Sequence, residues 1–257
     1  MEYGMNSLAI GSIVFAFVFA GALFGMHLEK ILPQEHLNPD AKDVIKVSMA
    51  MVATVAALVL GLLTASAKTS FDDRDAELRK MAEDVILLDR AMAKYGPETA
   101  GARALLKETL AARINRIWPE ENTGKVAPEE VGRGTGVENV RETLFALSPN
   151  NDTQRWLQST ALQITRDIEA ARWSIVEQIG STIQWPLLAV VVFWLATIFA
   201  SFGLFAPHNP TVGVVLFVAA LCVAGSIYLI LEMDQPYSGV VKLSSEPLRT
   251  ALAELGR

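Results

Sequence analysis

Charge is missing from the longest apolar stretch of this sequence. Between Glu177 and Glu232 there is no Lys, Arg, Asp or Glu, a gap of more than fifty positions interrupted only by Ala206-Pro207-His208-Asn209-Pro210. A water-soluble domain has to meet water along its surface, so a gap of this length excludes an ordinary soluble fold there. A bilayer core about 30 Å thick takes about 20 apolar residues per helical crossing, and Pro-His-Asn-Pro is a turn made of helix breakers. The gap reads as a transmembrane hairpin over 185–205 and 211–231. Cysteine is nearly absent as well: Cys222 is the single one and falls inside that hairpin, which excludes a disulfide framework or a Cys-based metal site. Three histidines are too few and too scattered for a metal motif. There is no basic run, and the net charge of -6 argues against nucleic acid and against a polybasic lipid anchor. A Walker loop, GxSxG, HExxH and a glycine-rich nucleotide fingerprint are all missing, so the reading is of a non-enzyme without a cofactor.

What is present is apolar residue and segregated charge. The chain is 51% hydrophobic and 19% charged, with a mean hydropathy of +0.32. The charges collect in Lys68 to Glu177 and at the ends. Two more charge-free runs, 3–26 and 47–67, bring the expected spans to four. The first has Glu2 and no Lys or Arg before it, is long for a signal sequence, and lacks a small-x-small site before His27. It reads as a retained helix. Lys and Arg near the span ends set orientation. Lys68, Arg74, Arg79, Lys80, Arg166, Arg172, Lys242 and Arg249 fall on one side. Only Lys30, Lys42 and Lys46 fall on the other, in the first hairpin loop and offset by Glu29, Glu35, Asp40 and Asp43. The imbalance puts both termini and the central region in the cytoplasm.

The central region reads as helical. Phe71, Leu78, Met81, Val85, Leu88, Met92 and Tyr95 fall on steps of seven, three and four, a coiled-coil seam continuing the second span. Gly96-Pro97 stops it and opens a helix that runs to Pro119. Residues 120–136, rich in Gly, Pro and acid, read as a loop, followed by a short helix over 140–147. Asn151-Asp152 offers an N-cap, and Leu157, Ala161, Ile164, Ile168, Ala171, Ile175 and Ile179 step by fours and threes toward the third span. Pro247 starts a final helix whose Leu248, Leu252 and Leu255 share a docking face. The expected fold is an all-α integral membrane protein with four transmembrane helices and a long helical cytoplasmic stalk between spans two and three. Its expected divisions are 1–67, 68–184, 185–231 and 232–257.

Three groups of residues are candidates for function. On the second span Ala50, Thr54, Ala57, Gly61, Thr64 and Lys68 share one face at steps of four and three. Small and weakly polar, this stripe could line a hydrated path; small residues also let helices approach closely, so packing is the other reading. Gly21 and Gly25 form a small-xxx-small pair suited to packing. Glu232 and Asp234 stand where the fourth span ends, before Pro236 and Gly239, as a cytoplasmic mouth, an intersubunit latch, or an interface marker. His27, His36 and His208 all fall on the outer face of the four-span topology, beside Glu29, Glu35 and Asp40, and are candidates for sensing acid or a divalent metal.

The stretches HLNPDAKDVIKVSMAMVATVAALVLGLLTASAKTSFD, LLDRAMAKYGPE and ILEMDQPYSGVVKLSSEPLRTAL resemble the bacterial bestrophin-like membrane proteins, and the resemblance covers essentially the whole chain. It implies a multi-pass protein of the bacterial inner membrane, distantly similar to bestrophins, which are homopentameric anion channels. Bestrophins line their neck with aromatic and branched residues on the second span, whereas this second span has no aromatic residue. The expected function is an oligomeric ion channel, anion-conducting by resemblance, with the second span lining the pore. A cation channel, or a non-conducting scaffold or accessory subunit, are the alternatives. The expected partners are the lipid bilayer, inorganic ions and further copies of the chain, five by resemblance, with four also possible.

Overall fold

A computed structural model describes residues 7–33, 39–118, 136–177, 185–207, 209–234 and 240–256, the side chains of 172–177 excepted. Among these residues there is no strand. The chain forms two compact units, one from Met1–Phe71 with Ser181–Val241 and the other from Asp72–Gly180 with Lys242–Arg257.

The first unit contains helix α1 (Ser7–Ile31), the first part of α2 (Pro39–Tyr95), α6 (Trp185–Phe205) and α7 (Pro210–Asp234). These four helices are long and apolar enough to cross a bilayer, with mean hydropathies of 2.3, 2.2, 2.4 and 2.7 over their most apolar windows. α6 begins and ends where the charge-free run foretold, because Trp185-Pro186 opens it and Pro207 closes it. The loop between α1 and α2 is shorter than the sequence suggested. α1 continues to Ile31 and α2 starts at Pro39, so Lys42 and Lys46 are helical rather than loop residues. Proline fits a first helical position and Asp40 suits the positive end of the helix dipole. Lys42 then reaches over the Phe205 ring, 5.8 Å from its centroid.

α1 packs against both α6 and α7, and glycine makes the first contact close. A Cβ at Gly21 would stand 2.6 Å from the Ala196 carbonyl oxygen; one at Gly25 would overlap the Ala200 backbone, and one at Gly203 the Ala22 backbone. The two helices therefore touch backbone to backbone, the packing that small residues permit between apolar helices. Around this crossing Val14, Val18, Ala22, Val191, Leu195, Phe199, Ala220 and Ile227 are buried, and Leu63 and Ala67 of α2 belong to the same core. The Phe217 ring meets Phe15 and Phe19 edge-on at 5.2 and 5.5 Å, the arrangement that aromatic quadrupoles favour.

The second unit contains the rest of α2, a 3-10 turn at Pro97–Thr99, α3 (Ala100–Ile117), α4 (Gly136–Phe145), α5 (Asp152–Glu177) and α8 (Glu246–Glu254). The seam on α2 is its core: Leu78, Met81, Val85, Leu88, Met92 and Tyr95 are all buried. Gly96 ends the helix at φ 141, a conformation that favours glycine. The Thr99 hydroxyl also meets the carbonyls of Met92 and Gly96 at 2.6 and 2.8 Å. α4 starts and stops earlier than the pattern suggested. Its end tightens at Leu147 N–H to Leu144 O, and the Gln158 amide of α5 donates to the carbonyls of both Leu144 and Leu147. Asn151 caps α5 through Oδ1 to the Gln154 amide at 2.8 Å. Leu157, Ala161 and Ile168 are buried as the stepping implied, while its continuation at Ile179 lies outside the described residues. α8 docks on α3, burying Leu248, Ala251 and Leu255.

Candidate functional site

α2 differs from the other three apolar helices in how little of it the chain covers. Only 11% of its apolar window is buried, against 33% for each of α1, α6 and α7. Ala56, Leu63 and Ala67 make its inward face. The stripe of Ala50, Thr54, Ala57, Gly61, Thr64 and Lys68 lies wholly exposed. An open groove of about 820 Å³ runs along this surface, lined by Ala53, Thr54, Ala57, Leu58, Gly61 and Leu62. A Cβ added at Gly61 would meet nothing within 4 Å. The Thr54 and Thr64 hydroxyls donate to the carbonyls four residues back, Ala50 O at 2.9 Å and Leu60 O at 2.8 Å. Their protons are satisfied within the helix, as hydroxyls in apolar surroundings require, and their oxygens keep lone pairs free for a further donor.

At the end of α7, Glu232 and Asp234 are 3% and 8% exposed. Glu232 Oε2 accepts the Val240 amide at 2.5 Å, and the Tyr228 hydroxyl one turn back also bonds this carboxylate. Glu232 therefore closes the chain that follows α7 onto the end of that helix, an arrangement hidden from periodicity because its partner lies eight residues on. Residues 235–239, with Pro236 and Gly239, lie outside the described residues. His27 is exposed near the end of α1; His36 and His208 lie outside the described residues. Among the described residues no group of three His, Cys, Asp or Glu side chains is placed to hold a metal ion.

The second unit carries a buried polar centre that sequence reasoning missed. Asp89 of α2, 4% exposed, accepts both Arg103 Nε at 2.7 Å and Arg103 Nη2 at 2.9 Å from α3, and the Gly256 amide at 3.3 Å. Lys107 Nζ donates to the Leu255 carbonyl at 3.1 Å. Burial pushes the Asp89 carboxyl up, but the Arg103 fork, the Gly256 amide and the Lys107 charge outweigh it and hold the group below the usual carboxylate range. Asp84, five residues earlier on α2, goes the other way: burial raises it against the pull of Lys80, with Asp167 and Glu83 adding to the rise. Trp118 Nε1 donates to the Leu243 carbonyl at 2.9 Å, tying the end of α3 to the segment before α8. No motif announces these bonds, because their partners lie 14 to 167 residues apart.

Four apolar helices, a helical second unit and a lightly covered apolar stretch of α2 define, among the described residues, an all-helical fold. The pattern of the bestrophin-like domain matches residues 15–248, and the chain belongs to the bestrophin-like family. A crystal structure of a bacterial bestrophin homolog from Klebsiella pneumoniae, itself a single-site mutant, superposes with a TM-score of 0.59. The match covers 94% of this chain and 98% of that one at 12% sequence identity, a likeness of fold. No curated protein sequence matches the chain.

Proposed function

We propose that the protein is an oligomeric ion channel of the bacterial inner membrane, anion-conducting, with α2 from each copy surrounding the path. Both termini and the second unit are cytoplasmic in this reading. The observation that carries it is the exposed face of α2. A helix that is 11% buried in its own chain and presents Thr54, Gly61 and Thr64 suits a hydrated axis better than lipid. Lys68 ends the stripe exposed, and a cation at the mouth of a path raises the local concentration of anions. Membership of the bestrophin-like family supports the same reading. The small side chains also suit close helix packing, which favours a second reading, a non-conducting oligomeric scaffold or accessory subunit.

Chloride flux from liposomes holding the purified protein decides between them. The channel reading expects flux, and it expects Lys68→Glu to lower the preference for chloride over sodium. An oligomer without flux of either ion leaves the scaffold. A detergent particle with the mass of one chain removes both.

A further inference from the structure

Within the second unit α2 and α5 pair antiparallel. They meet where α2 ends and α5 begins, with Gln154 Nε2 donating to the Tyr95 carbonyl at 3.0 Å. Each helix turns a buried row inward: Met81, Val85, Leu88 and Met92 on α2, and Leu157, Ala161 and Ile168 on α5. With the same rise per residue on both helices, the Tyr95–Gln154 contact sets Leu88 level with Ala161 and Met81 level with Ile168. Both rows step by threes and fours, so the residues beside them take fixed heptad positions. Val85 to Leu88 and Ile168 to Ala171 are corresponding steps of three. Asp84 and Asp167 stand directly before them and therefore hold the same flanking position on their two helices. Reversing one helix of a pair brings like flanks together. Asp84 lies about 17 Å along α2 from Tyr95, and Asp167 about 20 Å along α5 from Gln154, so the two carboxylates come level as well.

Flanking positions of paired helices ordinarily hold opposite charges that attract. Here both are acidic, Asp84 half-buried and Asp167 exposed. Lys80 and Glu83 act on Asp84 from its own helix and Asp167 from across the pair, each through charge alone. Beside Asp167 the exposed Arg166 turns its Nε to the Leu162 carbonyl at 3.4 Å. Arg141 of α4 is taken up by Glu169 at 2.7 Å. Burial raises the Asp84 carboxyl above the usual range, Lys80 opposes the rise, and Asp167 and Glu83 add to it.

We propose that Asp84 and Asp167 form an acid-operated catch between α2 and α5. At neutral pH both carboxylates are charged and push their helices apart. In acid one proton passes from the surrounding water to Asp84, and the new O–H donates to the Asp167 carboxylate. A hydrogen bond to an ionised acceptor is about twice as strong as a neutral one, so the contact changes from repulsive to attractive. Because Asp84 is raised in the folded state, stability is gained as the pH falls through that raised value, and the gain is complete below the unfolded value of about 4. In the channel reading above, the surrounding solution is the cytoplasm, and the catch then registers cytoplasmic acid; the contact itself does not depend on that reading.

The test is a double-mutant cycle on the full chain in detergent, with Tm read by tryptophan fluorescence at pH 7.5 and pH 4.5. At pH 7.5 Asp167→Asn is expected to raise the Tm of the parent by roughly 1–4 °C and to leave the Tm of the Asp84→Asn protein unchanged. Asp84→Ala takes the place of Asp84→Asn should the latter fold poorly. At pH 4.5 the gain from Asp167→Asn should vanish in the parent too. Equal gains in both backgrounds would mean that the two carboxylates do not face each other, and would overturn the catch. A lower Tm for Asp167→Asn at pH 7.5, or a gain that persists unchanged in acid, would also overturn it. Infrared difference spectra give a second reading: on acidification the carbonyl band of a protonated carboxyl should emerge at higher pH in the parent than in Asp167→Asn, and coincident titrations would count against the shared proton. Neither measurement uses flux or oligomer mass, so failure here leaves the channel reading standing.

Discussion

The sharpest structural test is at the α1–α6 crossing. Gly203→Ala adds one methyl group at a place occupied by the Ala22 backbone. A flexible side chain could move aside, but a helical carbonyl cannot, so the helices must part. At the related site, a Cβ on Gly21 would stand 2.6 Å from Ala196 O where ordinary contact begins at 3.4 Å, a shortfall approaching 1 Å. A gap of 0.5–1 Å forfeits about a quarter to a half of the dispersion energy of each facing pair, and overpacking of this kind costs about 1–3 kcal/mol. For a chain of this size that predicts a fall in Tm of roughly 3–10 °C, followed by tryptophan fluorescence in detergent. Gly213→Ala and Gly225→Ala are the controls, since a Cβ at either meets nothing within 4 Å, and no fall is expected. Because Gly25 and Gly203 share the crossing, their double variant should lose less than the sum of the singles. A Gly203→Ala protein as stable as its parent would refute the backbone contact.

Three further outcomes concern the second unit. Asp89→Asn removes one partner of a buried pair and should cost about 3–5 kcal/mol at neutral pH, measured by urea unfolding. Because the folded-state pKa of Asp89 lies below its unfolded value, its contribution is complete above about pH 4 and fades as the pH falls through the folded value. The gap between parent and variant should therefore narrow in acid, and a constant gap would count against the ion pair. Asp84→Asn should give a small gain at pH 7, since burial and Asp167 raise that carboxyl and its charge opposes folding; the gain should shrink as acid protonates the parent, and a loss at pH 7 would contradict it. Leu248→Ala, at a fully buried site on α8, should cost about 2–5 kcal/mol, and proteolysis should then cut ahead of α8 first; unchanged resistance would show that the helix is not docked.

Periodicity and absence of charge carried most of the fold. α6 was legible because nothing charged interrupts it, and the α2 seam because Leu78 through Tyr95 keep one face over five turns. Gly21 and Gly25 were legible as packing residues, but their partners on α6 could be read only from Ala196, Ala200 and Gly203 as a row of small residues. The Asp89–Arg103 pair was illegible in principle, since fourteen residues across a turn fit no helical repeat. Glu232 is a different case. A carboxylate at the end of an apolar helix looks like an interface marker until the Val240 amide is found bonded to it. The small residues of α2 stood out in the sequence, but that the chain leaves them uncovered could be seen only once α1, α6 and α7 were placed.

The docking of α8 sets an order of events during synthesis. Lys107 waits for Leu255 and Asp89 for Gly256, 148 and 167 residues later, and between them the ribosome must deliver both α6 and α7. Closing loops of this length adds little to the entropic cost of the finished fold, because that cost grows only with the logarithm of length. It does impose a delay. Until α8 and Gly256 emerge, the surface that receives Leu248 and Leu255 stays bare and Asp89 has Arg103 without its third partner. The second unit is thus completed only once α8 has been made, and a nascent chain that stalls after α7 would expose this unfinished surface to proteases and chaperones.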